Sequence, residues 1–321
     1  MLDRQTTRAK FQLDVPGVVL ESLGMFGLVY GFANAATHGW RATTTWGFIA
    51  AGVALLVAFG FWIGRAAHPL LPPRILLNRN RSGAYVAVLI ASLALFATFL
   101  FLTYYLQRTL GFSPIKTGLA FLPVSAALAA AANFSTIVLM PRIGPRPVIT
   151  TGLLVAAGAM AWFAQLGAHT SYARGVLGPL VVAGLGLGMV VAPAINTGTF
   201  GVAPQDAGVA SATVTVGQQL GASIGTSLLN TIFATAMTSY ISTHSSAASG
   251  SRTALINLAS AHGYRTAFWW SCGIAAGGAV VSALLLHSGP LVSQATAPVS
   301  SQPTAQPTPD QAVSSIGPDR A

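Results

Sequence analysis

Apolar residues run through most of the chain in long blocks that are separated by short polar segments. Eight blocks are long enough to cross a bilayer as a helix, which takes about 20 residues. No block alternates as a membrane β-strand does, and a helix satisfies its own backbone hydrogen bonds in lipid. We therefore predict an all-α integral membrane protein. The predicted helices are residues 15–36, 45–65, 83–107, 115–140, 147–167, 175–200, 207–237 and 266–287.

Small residues recur at every fourth position in the sixth and seventh predicted helices, on either side of a short turn at residues 201–206. Residues four apart share a helix face, so each helix has a face without bulky side chains. Such faces let helices approach closely in lipid, and proline in the sixth helix is expected to bend it. The residues assigned to helix packing are Gly184, Gly188, Pro193, Gly217, Gly221 and Gly225.

The polar segments divide the chain. A basic, proline-containing segment at 66–82 separates a two-helix unit at 15–65 from a six-helix unit at 83–287, because proline ends helices and basic residues stay at the membrane surface. Residues 1–14 form a short cytoplasmic segment in this scheme, and the Ser/Ala-rich stretch 238–264 is an external loop. Residues 288–321 are rich in Pro, Ser, Gln, Thr and Ala, and we expect a disordered tail.

Composition supports a membrane protein and assigns its orientation. Only 7% of the residues are charged, against about 25% in soluble domains, and 53% are hydrophobic. The net charge of +10 comes from residues at the ends of apolar blocks, so we expect contact with membrane lipids and not with nucleic acid. Across eight helices, ten Lys and Arg residues fall on the side of both termini and six on the other, which predicts cytoplasmic termini. The first block is longer than the apolar region of a signal peptide, about 7–15 residues.

Signals for enzymatic chemistry are weak. The six histidines are scattered without metal-ligand spacing, Cys272 is the single cysteine, and the glycines of the sixth helix do not form a dinucleotide-binding motif. We therefore expect no enzyme, no cofactor and no metal.

Five strings together resemble the fourteen-helix drug:proton antiporters of the major facilitator superfamily: LVYGF at 28–32, HPLLPPRIL at 68–76, YLQRTLGFSPIKTGLAFLP at 105–123, LMPRIGPRP at 139–147 and GVAPQDAGVASA at 201–212. Their order and spacing match the family's. The resemblance covers most of residues 11–290 and implies the C-terminal six-helix bundle with the two central helices that precede it. The six N-terminal helices of the family have no counterpart in the chain.

The resemblance implies a partial transporter of the bacterial inner membrane. When completed by an N-terminal half, it would export drug-like small molecules in exchange for protons by alternating access, in which two bundles rock around a central site. The chain alone is expected not to transport. The alternative is a non-transporting membrane protein, either a truncated gene product or an assembly partner.

The resemblance also suggests site residues. Arg142, Gly144 and Arg146 correspond to a cytoplasmic gate loop, although the acid of the stronger version of that loop is absent and the arginines also fit ordinary cytoplasmic anchoring. The seventh helix is placed at the interface between the two halves, where its glycine face would be useful. Polar candidates for the substrate cavity, each equally suited to an interhelical hydrogen bond, are Gln107, Asn133, Asn196, Gln218 and Gln219. Relatives usually have Arg-Gln at the last two positions.

Glu21 is the only acid well inside a predicted membrane helix. An intramembrane carboxylate is expensive to keep ionised, so Glu21 is a candidate for proton exchange. It lies in the two-helix unit, away from the positions where the family carries its coupling acids, and a structural role is favoured. Helices 83–287 contain no clear acid at mid-membrane depth.

Overall fold

The computed structural model describes residues 14–65, 75, 77–167, 170–244, 252–287 and 289. Within these ranges there is no strand, and eight helices are long and apolar enough to cross a membrane. The predicted all-α membrane fold is confirmed. Most of the predicted segments 1–14, 66–82 and 288–321 lie outside the described residues.

The helices are α1 (Val15–His38), α2 (Thr43–Ile63), α3 (Arg79–Tyr104), α4 (Pro114–Ile143), α5 (Pro145–Phe163), α6 (Leu177–Thr199), α7 (Ala207–His244) and α8 (Arg252–Leu285). Three π-helical turns accompany them. Tyr105–Thr109 extends α3, Ser135–Leu139 lies within α4, and Tyr172–Val176 leads into α6. Helix α3 starts at Arg79, so the last four residues of the predicted linker at 66–82 are helical. Asn78 caps this helix, because its side-chain oxygen accepts from the amides of Asn80 (3.1 Å) and Arg81 (3.3 Å).

Helix α3 lies at the centre of the bundle and packs against α6, α7 and α8. Helix α6 also packs against α4 and α5, and α5 against α8. Aromatic rings fill the junction of α3, α7 and α8: the ring of Phe101 lies 5.6 Å from that of Phe233 and 6.2 Å from that of Phe268. Helices α1 and α2 form a hairpin that joins the bundle through contacts of α1 with α7.

The two ends of the bundle differ in the turns they carry. The Gly144 end holds the starts of α1, α3, α5 and α7 and the ends of the other four helices. The Gly111 end, opposite to it, holds the α1–α2, α3–α4 and α5–α6 turns. Long-range hydrogen bonds define both ends, for example from the Tyr105 hydroxyl to the carbonyl of Gly167 (2.8 Å) at the Gly111 end.

The expectation of an external loop at 238–264 is wrong for most of its length, because α7 continues to His244 and α8 begins at Arg252. Alanine favours helix, which offsets the weaker propensity of serine and threonine in this stretch. The Thr243 hydroxyl is satisfied within the helix by the carbonyl of Ser239 (2.9 Å). The rings of Tyr240 and His262, 5.2 Å apart, connect the two extensions. The extra turns lengthen the α7–α8 hairpin at the Gly111 end.

Candidate functional site

A cavity of about 500 Å³ opens between α4 and α6 near the Gly144 end. Thr136 and Pro141 of α4 face Asn196 and Thr199 of α6 across it. Asn196 is exposed, and the hydroxyl of Thr136 has no hydrogen-bond partner in the described part of the chain. Together with apolar neighbours such as Met140, the exposed amide of Asn196 suits a ligand that has both polar and apolar surface.

The shape of α4 at this cavity follows from its sequence. Pro141 has no amide hydrogen, so it cannot donate to the carbonyl one turn earlier. The preceding residues form the π-helical turn Ser135–Leu139, in which the amide of Met140 donates to the carbonyl of Ser135, five residues back. Such turns widen a helix locally and are frequent at functional sites. Thr136 lies inside this turn and lines the cavity.

Of the five predicted cavity residues, only Asn196 lines this cavity. Asn133 is exposed one turn before Ile137 of α4, and its Nδ2 donates to the carbonyl of Ala129 in its own helix (2.8 Å). Gln107 is exposed in the π-helical turn at the opposite, Gly111 end. The two side chains therefore do not join Asn196 in one site.

The glutamines of α7 also stand apart from that cavity. Gln219 is exposed and lies one turn before Ser223, on the side of α7 that contacts α1. Gln218 is half-buried in the middle of the same helix. The structure thus distributes the five polar candidates over α4, α6, α7 and the π-helical extension of α3, and over both ends of the bundle.

The predicted gate loop forms a tight turn between α4 and α5. Gly144 has φ +81°, a conformation that costs a residue with a side chain about 1–3 kcal/mol. Its amide donates to the carbonyl of Met140 (3.0 Å), and a Cβ here would collide with the backbone of Gly289. Arg142 is exposed and Arg146 is half-buried. The turn therefore sits against the segment that follows α8, and its role as a gate stays a prediction.

Arginine and tyrosine side chains of α3 hold the end of α6 at the Gly144 end. Arg81 donates from Nη2 to the carbonyl oxygens of Phe200 (3.2 Å) and Gly201 (3.0 Å). The Tyr85 hydroxyl donates to the carbonyl of Gly198 (3.0 Å). The last carbonyls of a helix lack partners within it and carry the negative end of the helix dipole, so a cation stabilises them.

The same end of α3 also holds the end of α8. Arg79 donates from Nη2 to the carbonyl of Leu284 (3.0 Å), and Asn80 Oδ1 accepts from the amide of His287 (2.6 Å). Helix α3 therefore connects two helix C-termini at the end that carries the Gly144 turn.

The glycines of α6 lie at close helix crossings within the bundle. A Cβ on Gly184 or Gly188 would meet the backbone of α4, at Val124 and Leu128 respectively. Pro193 is buried inside α6, where the carbonyl of Pro193 accepts from the hydroxyl of Thr197 (2.7 Å).

The glycines of α7 face α3. A Cβ on Gly221 or Gly225 would meet the backbone of Leu89 or Leu93, whereas one on Gly217 would lie 3.6 Å from the carbonyl of Tyr85. The expectation that this glycine face lies between two bundles is therefore wrong for Gly221 and Gly225. They are buried because α3 needs a partner without side chains at this crossing.

Residues 21–226 match the Major Facilitator Superfamily, which is 206 of the 321 residues, or nearly two thirds of the chain. The chain belongs to the Major Facilitator Superfamily. The multi-pass membrane fold agrees with this assignment. The superfamily assignment favours a transporter over an enzyme.

Three superfamily relatives show how much of a longer protein the chain matches. It is similar to the puromycin resistance protein pur8 of Streptomyces alboniger, 38% identical over 288 residues, which are 89% of this chain and 56% of that protein. It is 32% identical to the cephamycin export protein CmcT of Amycolatopsis lactamdurans over 71% of this chain and 47% of that protein. For the tetracenomycin C resistance and export protein of Streptomyces glaucescens, the identity is 31% over 73% and 43%. The chain spans about half the length of the curated relatives it matches.

Sequence reasoning missed the polar seam that attaches the α1–α2 hairpin to this superfamily bundle. Ser223, Ser227 and Thr231 follow one another at four-residue spacing on α7. Ser223 Oγ donates to the carbonyl of Val29 (3.2 Å), and Ser227 Oγ donates to the carbonyl of Phe32. The seam shows that α1 runs parallel to α7.

At the Gly111 end of the seam, the Trp40 indole donates from Nε1 to Thr231 Oγ1 (2.8 Å). These hydroxyl residues recur at four-residue spacing in the sequence. The prediction for α7 rested instead on the glycine repeat of the neighbouring face, which has the same spacing.

No acid among the described residues lines the α4–α6 cavity. Glu21 is half-buried in α1 and has no hydrogen-bond or ion-pair partner among the described residues. Asp206 has 7% of its surface exposed and precedes α7, where the helix dipole favours a negative charge. Within the described part of 83–287, no other acid is present. A role of Glu21 in proton exchange stays a prediction.

Proposed function

We propose that this chain forms the C-terminal part of a drug:proton antiporter that exports drug-like small molecules by alternating access. In this proposal α3–α8 are the C-terminal six-helix bundle and α1–α2 are the two central helices of a fourteen-helix protein. The observation that carries it is the extent of the match to pur8, 89% of this chain against 56% of that protein, and the assignment to the C-terminal part rests on the resemblance of the five strings. The printed names of the relatives, resistance and export proteins, support drug-like substrates.

The proposal includes a second bundle that supplies the other wall of the substrate site. The α4–α6 cavity is an open concavity, and α4 next to it has exposed side chains along most of its length, among them Asn133 and Ile137. Drug-sized ligands are usually buried over 70–90% of their surface, which one open wall does not achieve. A six-helix N-terminal half opposite this wall would enclose the ligand.

The proton carrier is proposed to lie in that second half. Asp14 caps α1, Asp206 precedes α7, and Glu21 lies in the two-helix unit, so the described part of α3–α8 has no carboxylate at mid-depth. The location is proposed to be the bacterial inner membrane, with the Gly144 end and both termini on the cytoplasmic side, where the basic residues concentrate.

The test reconstitutes the 321-residue chain into liposomes in two forms, alone and together with the part of pur8 that precedes its match to this chain. Puromycin uptake into these proteoliposomes is measured under an imposed proton gradient, with full-length pur8 as the positive control. We expect no uptake by the chain alone, and gradient-dependent uptake by the complemented form that an uncoupler abolishes.

Two results would count against the proposal. Gradient-driven uptake by the chain alone would show that no second bundle is needed. Absence of uptake in a complemented form whose two parts co-purify would favour a non-transporting membrane protein, such as an assembly partner.

A further inference from the structure

A second cavity, of about 310 Å³, lies at the Gly111 end where α3, α7 and α8 meet. It shares no lining residue with the α4–α6 cavity and lies at the other end of the bundle. Its volume is at the lower limit for small-molecule sites, about 300–1,000 Å³, which corresponds to a ligand with one or two rings.

The floor of this Gly111-end cavity is aromatic and rigid. The rings of Phe233 and Tyr264 have centroids 4.9 Å apart, and both pack on Phe101 below them. Tyr264 has 3% of its surface exposed, and Phe101 has 0%. Their contacts with each other and with Phe101 hold these rings in place, so the parts that line the cavity offer a preformed apolar surface to a flat ligand.

Polar groups without partners converge on the same cavity. The hydroxyl of Tyr264 has no hydrogen-bond partner within the ranges that the structure describes, although the residue is almost entirely buried. The side-chain amides of Asn230 and Asn257 line the cavity and are likewise without partners there. Buried polar groups are normally hydrogen-bonded, so the unpaired hydroxyl of Tyr264 is available to a ligand. Asn230 is half-buried and Asn257 is exposed, so their amides can exchange water for the same ligand.

The charge of the lining is positive. Arg108 is the one charged residue among the described residues that line the cavity. Its guanidinium carbon lies 5.3 Å from the centroid of the Tyr104 ring, a cation–π contact that holds the group at the rim. A guanidinium binds carboxylate, sulfonate or phosphate through two parallel hydrogen bonds.

We propose that the Gly111-end cavity binds amphiphilic organic anions. The anionic group of the ligand pairs with Arg108, and its flat apolar part lies on Phe233 and Tyr264. The hydroxyl of Tyr264 and the side-chain amides of Asn230 and Asn257 form hydrogen bonds with polar groups at the edge of the ligand. The same chemistry is presented by a free aromatic acid and by the phosphate headgroup of an anionic lipid. The inference does not rest on transport, so its failure leaves the proposed function untouched.

The first arm of the test uses 1-naphthalenesulfonate as the probe and the full chain in nanodiscs of zwitterionic phosphatidylcholine. Equilibrium dialysis against empty nanodiscs measures protein-specific binding. We expect saturable binding that Arg108→Gln weakens at least about tenfold, as for loss of a charge-assisted hydrogen bond, and that Tyr264→Phe weakens by a few-fold. The uncharged analogue 1-naphthalenemethanol should bind at least about tenfold more weakly than the sulfonate, for the same reason.

The matched control is Arg174→Gln, which removes an exposed arginine at the same end of the bundle but outside the cavity. It should bind the probe as the unaltered chain does. Tyr264→Phe keeps the aromatic floor, so it remains informative if Arg108→Gln fails to fold. Equal binding to the unaltered chain, Tyr264→Phe and any folded Arg108→Gln protein would overturn the proposal.

The second arm distinguishes a lipid from a free anion. The protein is reconstituted with phosphatidylglycerol, and native mass spectrometry counts the bound lipid with and without the probe. Bound phosphatidylglycerol that the probe displaces, and that Tyr264→Phe or Arg108→Gln reduces, would support the proposal with a lipid as occupant. Probe binding that phosphatidylglycerol does not compete for would support a free anion. Absence of specific binding in both arms would overturn the proposal.

Discussion

Single glycine positions decide how closely the helices of this bundle pack. On α7, Gly221 faces the carbonyl of Leu89, and a Cβ added to Gly221 would collide with the oxygen of that carbonyl. Gly217, one turn earlier, has its nearest neighbour at 3.6 Å, an ordinary van der Waals distance. Two glycines of the same repeat therefore differ in their tolerance of a methyl group, and the sequence does not reveal the difference.

Gly221→Ala should destabilise the bundle by about 1–3 kcal/mol, since overpacking forces the backbones of α3 and α7 apart. The measurement is the free energy of unfolding in mixed micelles titrated with SDS. Gly217→Ala is the matched control and should remain within about 1 kcal/mol of the unaltered chain, because alanine also favours helix. Equal losses from both substitutions would mean that α7 does not cross α3 at Gly221.

Gly144 combines an unusual backbone conformation with a close neighbour, and Gly39 separates the two effects. Both have φ near +80° with extended ψ, but a Cβ on Gly39 meets nothing within 4 Å. Gly39→Ala should cost about 1–3 kcal/mol from backbone strain alone. Gly144→Ala should cost more, because the methyl group also displaces Gly289. The same SDS titration tests this, and a smaller loss at Gly144 would contradict the contact with Gly289.

Between helices, the serine–threonine seam of α7 is the attachment of the α1–α2 hairpin. The hydroxyls of Ser223 and Ser227 donate to carbonyls of α1 that already accept hydrogen bonds within that helix. The hydroxyl oxygen of Thr231 accepts from the Trp40 indole. Hydrogen bonds between membrane helices contribute about 0.6 kcal/mol each on average. The seam therefore holds the hairpin through several weak bonds on one face.

Replacing Ser223, Ser227 and Thr231 together by alanine should cost about 2 kcal/mol, the sum of three such bonds, and loosen α1. Hydrogen–deuterium exchange of α1 peptides measures the loosening. The matched control replaces Thr213, Thr215 and Thr226, whose hydroxyls donate within α7 itself, as Thr226 does to Ala222 (2.8 Å). Faster exchange of α1 in the control alone would contradict the assignment of the seam.

The element boundaries show where sequence reasoning succeeds. Long apolar blocks gave α1–α6 to within a few residues, because burial in lipid demands apolar composition over the whole span. The extensions of α7 and α8 beyond that span are rich in Ser, Thr and Ala, and their helical structure depends on contacts such as that of Tyr240 with His262. Apolar composition marks the membrane-spanning part of a helix and not its full length, so it ended α7 too early and began α8 too late.

For the whole molecule, the orientation in the membrane is the next quantity to measure. We expect the Gly144 end inside the cell, from the excess of basic residues there. In a Cys272→Ser background, Leu77→Cys at the Gly144 end and Ala173→Cys at the Gly111 end are both exposed, uncharged positions. A membrane-impermeant maleimide added to intact cells should label the cysteine at 173 and not the one at 77. The reverse pattern would show that the topology is inverted.

The sequence by itself determined that this chain lies in a membrane, roughly where most of its helices run, and the superfamily it resembles. These properties follow from composition, run length and local motifs, which do not depend on how the helices meet. Only the tertiary structure decided which face of each helix is buried. Gly221 faces α3, and Ser223 donates to α1. Asn196 lies apart from the glutamines of α7, whereas Arg108 and Tyr264, which are far apart in the sequence, line one cavity. In lipid every face of such a helix is apolar enough to be exposed, so the choice of neighbours depends on close packing and a few hydrogen bonds.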